Sequence, residues 1–125
     1  MVDLVVTCPK DFFREWIAEG DAAGEPWSGE EWGWYLAGRA SLPIGVGDRL
    51  YVVSHGRLRG FSPVTRVHWT PDNDGRWTGY ICREGGGVAV TIPQPIKGFQ
   101  SWRYRWWDRE DEVPFPNWKT EGVTR

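Results

Sequence analysis

After Gly45 the chain is punctuated by turn chemistry at short intervals, and this restricts its second half to short strands. Gly47-Asp48 is a turn into Arg49-Leu50-Tyr51-Val52-Val53-Ser54, a run rich in β-branched and aromatic residues. His55-Gly56 is a tight hairpin signal. The run from Arg57 to Trp69 carries Gly60 and Pro63, which predicts a long, bulged strand. Pro71-Asp72-Asn73-Asp74-Gly75 is a turn cluster. Trp77 to Arg83 and Val88 to Ile92 then read as a hairpin joined across Glu84-Gly85-Gly86-Gly87, and past Pro93 and Pro95 the alternation from Trp102 to Trp107 reads as a last strand.

The first half reads differently. Residues 2–7 are a short β-branched run that predicts a strand buried on both faces. Pro9 suits a first helical position, Asp11 complements the helix dipole, and Phe12, Phe13, Trp16 and Ile17 recur at helical spacing up to Gly20. Residues 21–27 read as a loop. Ser28-Gly29-Glu30-Glu31 has the form of a capping box, predicting a second helix that ends near Gly38, with Trp32, Tyr35 and Leu36 on one face and Trp34 turned elsewhere. The expected architecture is one α+β domain over 1–125: a small β-barrel of five or six mixed strands with two or three flanking helices. Residues 108–125 are expected as an extension packed on the barrel through Val113-Pro114-Phe115-Pro116 and Trp118.

At 125 residues the chain suits one domain, and with 40% apolar and 26% charged residues it needs neither disulfide nor metal to fold. No apolar run is long enough to cross a membrane, and Met1 to Val6 lacks the basic region and apolar stretch of a signal peptide, so a cytoplasmic chain is expected. Cys8, His55, His68 and Cys82 have no metal-ligand spacing, which predicts no metal and two buried, free cysteines. Gly85-Gly86-Gly87 lacks the following helix and Lys of a phosphate loop, and no GxSxG elbow is present; no cofactor is expected.

Two compositional features bear on function. The chain holds 10 Trp, and its 15 basic residues are 12 Arg and 3 Lys. Trp and Arg stack on planar ligands and dominate binding hot spots. The net charge of −2 argues against salt-driven, nonspecific nucleic-acid binding, but it conceals an asymmetry. Residues 1–48 carry a net −6, residues 49–107 a net +6 and residues 108–125 a net −2. In Trp102-Arg103-Tyr104-Arg105-Trp106 a period of two places rings on one face and guanidinium groups on the other.

Gly47-Asp48-Arg49-Leu50-Tyr51-Val52-Val53-Ser54-His55, with Leu58-Arg59-Gly60-Phe61 and Val64 to Val67, resembles the centre of PUA-like domains of the ASCH and EVE type. Trp32-Gly33-Trp34 is similar to the Trp motif that precedes the Gly-Asp turn in EVE domains. The resemblance implies a barrel with a cleft between barrel and helices, where relatives bind RNA or flipped, modified nucleobases. Some ASCH relatives are amidohydrolases acting on acetylated cytidine, or ribonucleases. Their Gly-x-Lys-Thr-x-Glu-x-Arg-like run would fall at Glu19-Gly20-Asp21-Ala22-Ala23-Gly24-Glu25, which has neither the Lys nor the Thr. The expectation is therefore a module that binds RNA or a modified nucleotide. Trp32, Trp34 and Tyr35 would form the wall, Ser54 and His55 would read the base edge, and Arg57, Arg59, Arg103 and Arg105 would hold phosphates beside Trp102 and Tyr104. The alternatives are a hydrolase using Lys10, Glu84 or His55, and a protein–protein module using the Trp surface.

Overall fold

In chain order the elements are β1 (Leu4–Thr7), α1 (Lys10–Ala18), β2 (Glu31–Gly38), β3 (Arg49–Ser54), β4 (Arg57–Pro71), β5 (Trp77–Glu84), β6 (Val90–Thr91), β7 (Trp102–Tyr104) and β8 (Val113–Pro114). The computed structural model describes residues 2–18, 21–38 and 41–123; the expected helix stop at Gly20 and the Glu19-Gly20 part of the run discussed above lie outside them. Six strands form one mixed sheet in the order β2-β5-β4-β3-β1-β7, which curls into a half-barrel, while β6 and β8 form a separate ribbon. β1 runs parallel to β3 and antiparallel to β7, and the other neighbours in the sheet are antiparallel.

Burial on both faces explains the apolar character of β1 and β3. Leu4, Val6, Leu50 and Val52 join one core cluster with Phe13 of α1, Leu36, Ile81, Phe115 and Trp118. Val5, Tyr51 and Val53 point the other way, into a second cluster with Leu58, Phe61, Ile92, Ile96 and Trp107. Phe115 and Trp118 of the C-terminal segment are thus part of the core, only 3% and 4% exposed.

β4 joins the two halves of the sheet. Its first part pairs with β3 and its second with β5, with register shifts at Val52/Val53 and Val64/Arg66. At the first shift Val52 faces Gly60 and Val53 faces Leu58, so Arg59 is the extra residue of a bulge. Gly60 there has φ +157°, and a side chain on it would strike the Val88 carbonyl.

Three expectations are corrected. Residues 31–38 are not a helix but β2, leaving one α-helix and a short 3-10 turn at Arg109–Asp111 among the described residues. Half-buried Trp32 and Trp34 and buried Leu36 alternate with exposed Glu31, Gly33, Tyr35 and Ala37 at a period of two, and the strand zips onto β5 along its whole length. Trp32 therefore shares a face with Trp34 and not with Tyr35. Second, Val88 to Ile92 does not pair with β5. Val88 exchanges both backbone hydrogen bonds with Phe61 at 2.7 and 2.9 Å, and β6 continues onto β8. The Gly85 to Gly87 turn is held elsewhere, with its backbone bonded to Ala22, Gly24 and Glu30. Third, β7 spans only Trp102–Tyr104; the Arg105 N–H adds one more rung to the Asp3 carbonyl, and its side chain bonds the Asp3 carboxylate.

Asp3 organises this end of the sheet. Its carboxylate accepts from the Arg49 backbone N–H at 3.0 Å, Arg105 Nε at 3.0 Å and Arg109 Nη2 at 2.8 Å. Burial alone would raise its pKa, but hydrogen bonds from Arg109, Arg49 and Arg105 outweigh it and hold the carboxyl below its ordinary 3.8. A depressed carboxylate contributes stability above its unfolded pKa and loses it as pH falls through the folded value. Asp3→Asn is therefore expected to cost about 1–3 kcal/mol at pH 7 by urea denaturation, with the gap to wild type closing as the pH falls below 3.8. A gap independent of pH would contradict this account.

Candidate functional site

Arg83 is a charge set deep in the fold, its side chain only 3% exposed. It sits on β5 between Trp32 of β2 and Val64 of β4, on the inward face that it shares with Ile81. Asp21, 2% exposed at its side chain, meets Arg83 Nη2 in a short ion pair, and Arg83 Nη1 donates to Ser62 Oγ and the Glu84 carbonyl, each at 3.2 Å. Burial pushes the Asp21 carboxyl up, while Arg83 and the Ala22 and Ala23 amides oppose it.

Above this pair lies a cleft of about 290 Å³, lined by Cys8, Pro9, Phe12, Glu15, Trp16, Trp32, Gly33, Trp34 and Arg83. One wall is α1, whose Phe12, Glu15 and Trp16 recur at the three-to-four-residue spacing of one helix face. The opposite wall is the inward face of β2, with Trp32 and Trp34 two residues apart. Trp32 can lie against the sheet because Gly85 has no side chain: a Cβ there would come 2.6 Å from the indole. Trp16 is braced from behind by Phe13 and Trp118, each at 5.4 Å between ring centres. Cys8 closes one end. Burial, then the Asp21 charge, pushes its thiol up to about 11, so it is a neutral wall group and not a nucleophile at neutral pH.

The remaining sequence candidates lie elsewhere. Tyr35, 72% exposed, is on the opposite face of β2, its ring 4.6 Å from that of its cross-strand partner Tyr80. Ser54 is buried, with Oγ 3.1 Å from His55 Nδ1, and His55 has a left-handed backbone (φ 50°) and packs edge-on against Phe13. Burial, followed by the Arg59 and Lys10 charges, lowers the His55 pKa below 6.5. Arg57 pairs with Glu121 at 3.1 Å and bonds Thr91. Arg59, completely buried, donates to the carbonyls of Ser54, His55, Trp118 and Glu121. Arg105 is held by Asp3, and the exposed Arg103 lies 4.5 Å over the Phe99 ring. Trp102 is half-buried against the core, touching the exposed Tyr104 edge-on at 5.0 Å. Lys10 and Glu84 are at the ends of α1 and β5, outside the cleft lining. Cys8 and Cys82 are buried and free, and the described residues contain no cluster of His, Cys, Asp and Glu fit to hold a metal.

No protein-family model, curated protein or solved structure matches this chain.

Of the cleft residues, sequence reasoning singled out Trp32 and Trp34 and overlooked Phe12, Glu15, Trp16 and Arg83, with Asp21 beneath it. The one available signal was Arg83 itself, a charge two residues after Ile81 and so on the same face of its strand.

Proposed function

We propose that the chain is a PUA-like binding module that takes a nucleobase of RNA, or of a modified nucleotide, into the cleft between α1 and β2. The observation that carries this reading is the convergence of Phe12, Trp16, Trp32 and Trp34 on one cavity over the neutralised Asp21–Arg83 pair. Planar walls favour a planar guest, and base–aromatic stacking is worth about 1–3 kcal/mol per base. The volume, about 290 Å³, suits one base better than a whole nucleotide. The Gly47-Asp48 turn agrees with the PUA-like reading: Asp48 Oδ2 accepts from the Gly45 N–H at 2.9 Å, fixing the entry into β3. A binding role is favoured over hydrolysis because Lys10, His55 and Glu84 all lie outside the lining.

The test is calorimetric titration with a panel of plain and modified nucleosides and short RNAs, with product followed by mass. Trp34→Ala is expected to weaken binding by about 1–3 kcal/mol with the fold retained by circular dichroism, whereas Tyr35→Ala leaves it unchanged. Binding that depends on Tyr35 and not Trp34 would place the site on the other face of β2. The absence of binding across the panel would overturn the proposal.

A further inference from the structure

The charges around the cleft narrow the class of base it prefers. Arg83 is cancelled by Asp21 beneath the floor. The partial positive charge at the start of α1 is offset by Asp11 in the first turn. Glu15 is left as the only charged group of the lining with no hydrogen bond or ion pair among the described residues. Of the arginines expected to hold phosphate, Arg57, Arg59 and Arg105 are engaged internally, and none of the four lines the cleft. Arg83 Nε and the indole nitrogens of Trp16 and Trp32 are buried without acceptors, so the charge presented at the mouth of the cleft is the Glu15 carboxylate, beside aromatic rings, whose faces carry negative charge density and attract cations.

Resting on the nucleobase reading above, we infer that the cleft selects a base carrying a positive charge, an N-alkylated purine or pyrimidine, over its neutral parent. Such a cation offers the rings both a stacking surface and a charge, and it gives Glu15 a partner at the rim. A neutral base gains only the stacking.

Two adenosine derivatives isolate the charge, because 1-methyladenosine and N6-methyladenosine carry the same added methyl group but only the first is cationic at neutral pH. Calorimetric titration of the intact chain is expected to give about tenfold tighter binding of 1-methyladenosine. The same ordering is expected for 7-methylguanosine over guanosine. Glu15 is exposed and Glu15→Gln leaves the core intact, so this change should reduce the ratio of 1-methyladenosine to N6-methyladenosine affinity several-fold. If the neutral compounds bind as tightly as the cations, and Trp34→Ala weakens them, the charge selectivity is wrong and the nucleobase reading stands. If tetramethylammonium displaces 1-methyladenosine at equal concentration, the cleft is an alkylammonium cage and both readings fall. If no nucleoside binds, both fall as well.

Discussion

Replacing Arg83 with Met is expected to destabilise the fold by about 3–5 kcal/mol, because it removes one partner of a buried pair and leaves the Asp21 carboxylate without its countercharge. The penalty has a pH signature. An unpaired buried carboxyl has a folded-state pKa raised above its unfolded 3.8, so the folded variant binds the proton more readily than the unfolded chain. The deficit relative to wild type should therefore be largest at neutral pH and shrink as the pH falls towards 3.8. Urea denaturation at several pH values measures this. A loss of under about 1 kcal/mol, or one that grows on acidification, would show that the pair is not what holds β5 to the loop before β2.

Arg59→Ala is expected to be comparably severe and to act at a distance. The guanidinium is completely buried and bonds four carbonyls, two on the hairpin around His55 and two on the C-terminal segment. Burial lowers its pKa to about 10, still well above neutrality, so it remains a cation in the folded protein. Without it those carbonyls lose their donors at about 1–3 kcal/mol for each that stays buried, and Phe115 and Trp118 lose the clasp that keeps them in the core. A fall in Tm of about 10–20 °C should result, with faster proteolytic cleavage within residues 108–123. A segment as protease-resistant as in wild type would show that the aromatic anchors suffice alone.

The parts of the fold legible in the sequence were those where local chemistry and long-range pairing agree. β1 and β3 have apolar runs because both faces are buried, and the turn residues at Gly47-Asp48 and His55-Gly56 place the strands that flank them. β2 was illegible because its sequence supports two periods. Trp32, Tyr35 and Leu36 fit a helix face, while Trp32, Trp34 and Leu36 fit a strand face, and Ser28 to Glu31 imitates a cap. Pairing with β5, which no local signal announces, decides between them. The Glu30 carbonyl, instead of opening a helix, accepts from Trp27 Nε1 at 2.7 Å and the Gly85 N–H at 2.9 Å.

Arg59, expected beside a phosphate, lies in the core for a related reason. Alternation predicts which way a strand residue points only while the ladder is unbroken, and Arg59 is the bulged residue, so the irregularity turns it into the core. Arg83 was passed over because charge on a strand ordinarily means solvent. Its partner Asp21 is 62 positions away in the chain, and only the folded arrangement brings the two together.

The cleft is built from the two most peripheral elements that could form it. β2 is the end strand of the sheet, hydrogen-bonded to β5 on one side only, and α1 leans on the sheet by a single face. α1 is backed by Trp118 behind Trp16, whereas β2 has no strand on its outer side, so β2 is the wall with fewer partners than the doubly flanked β1 or β3. On the proposed function, an occupant wedged between the two walls would be a cross-brace, spending part of its binding energy on tying an edge strand to the helix, so that filling the cleft would change the stiffness of the domain more than its shape.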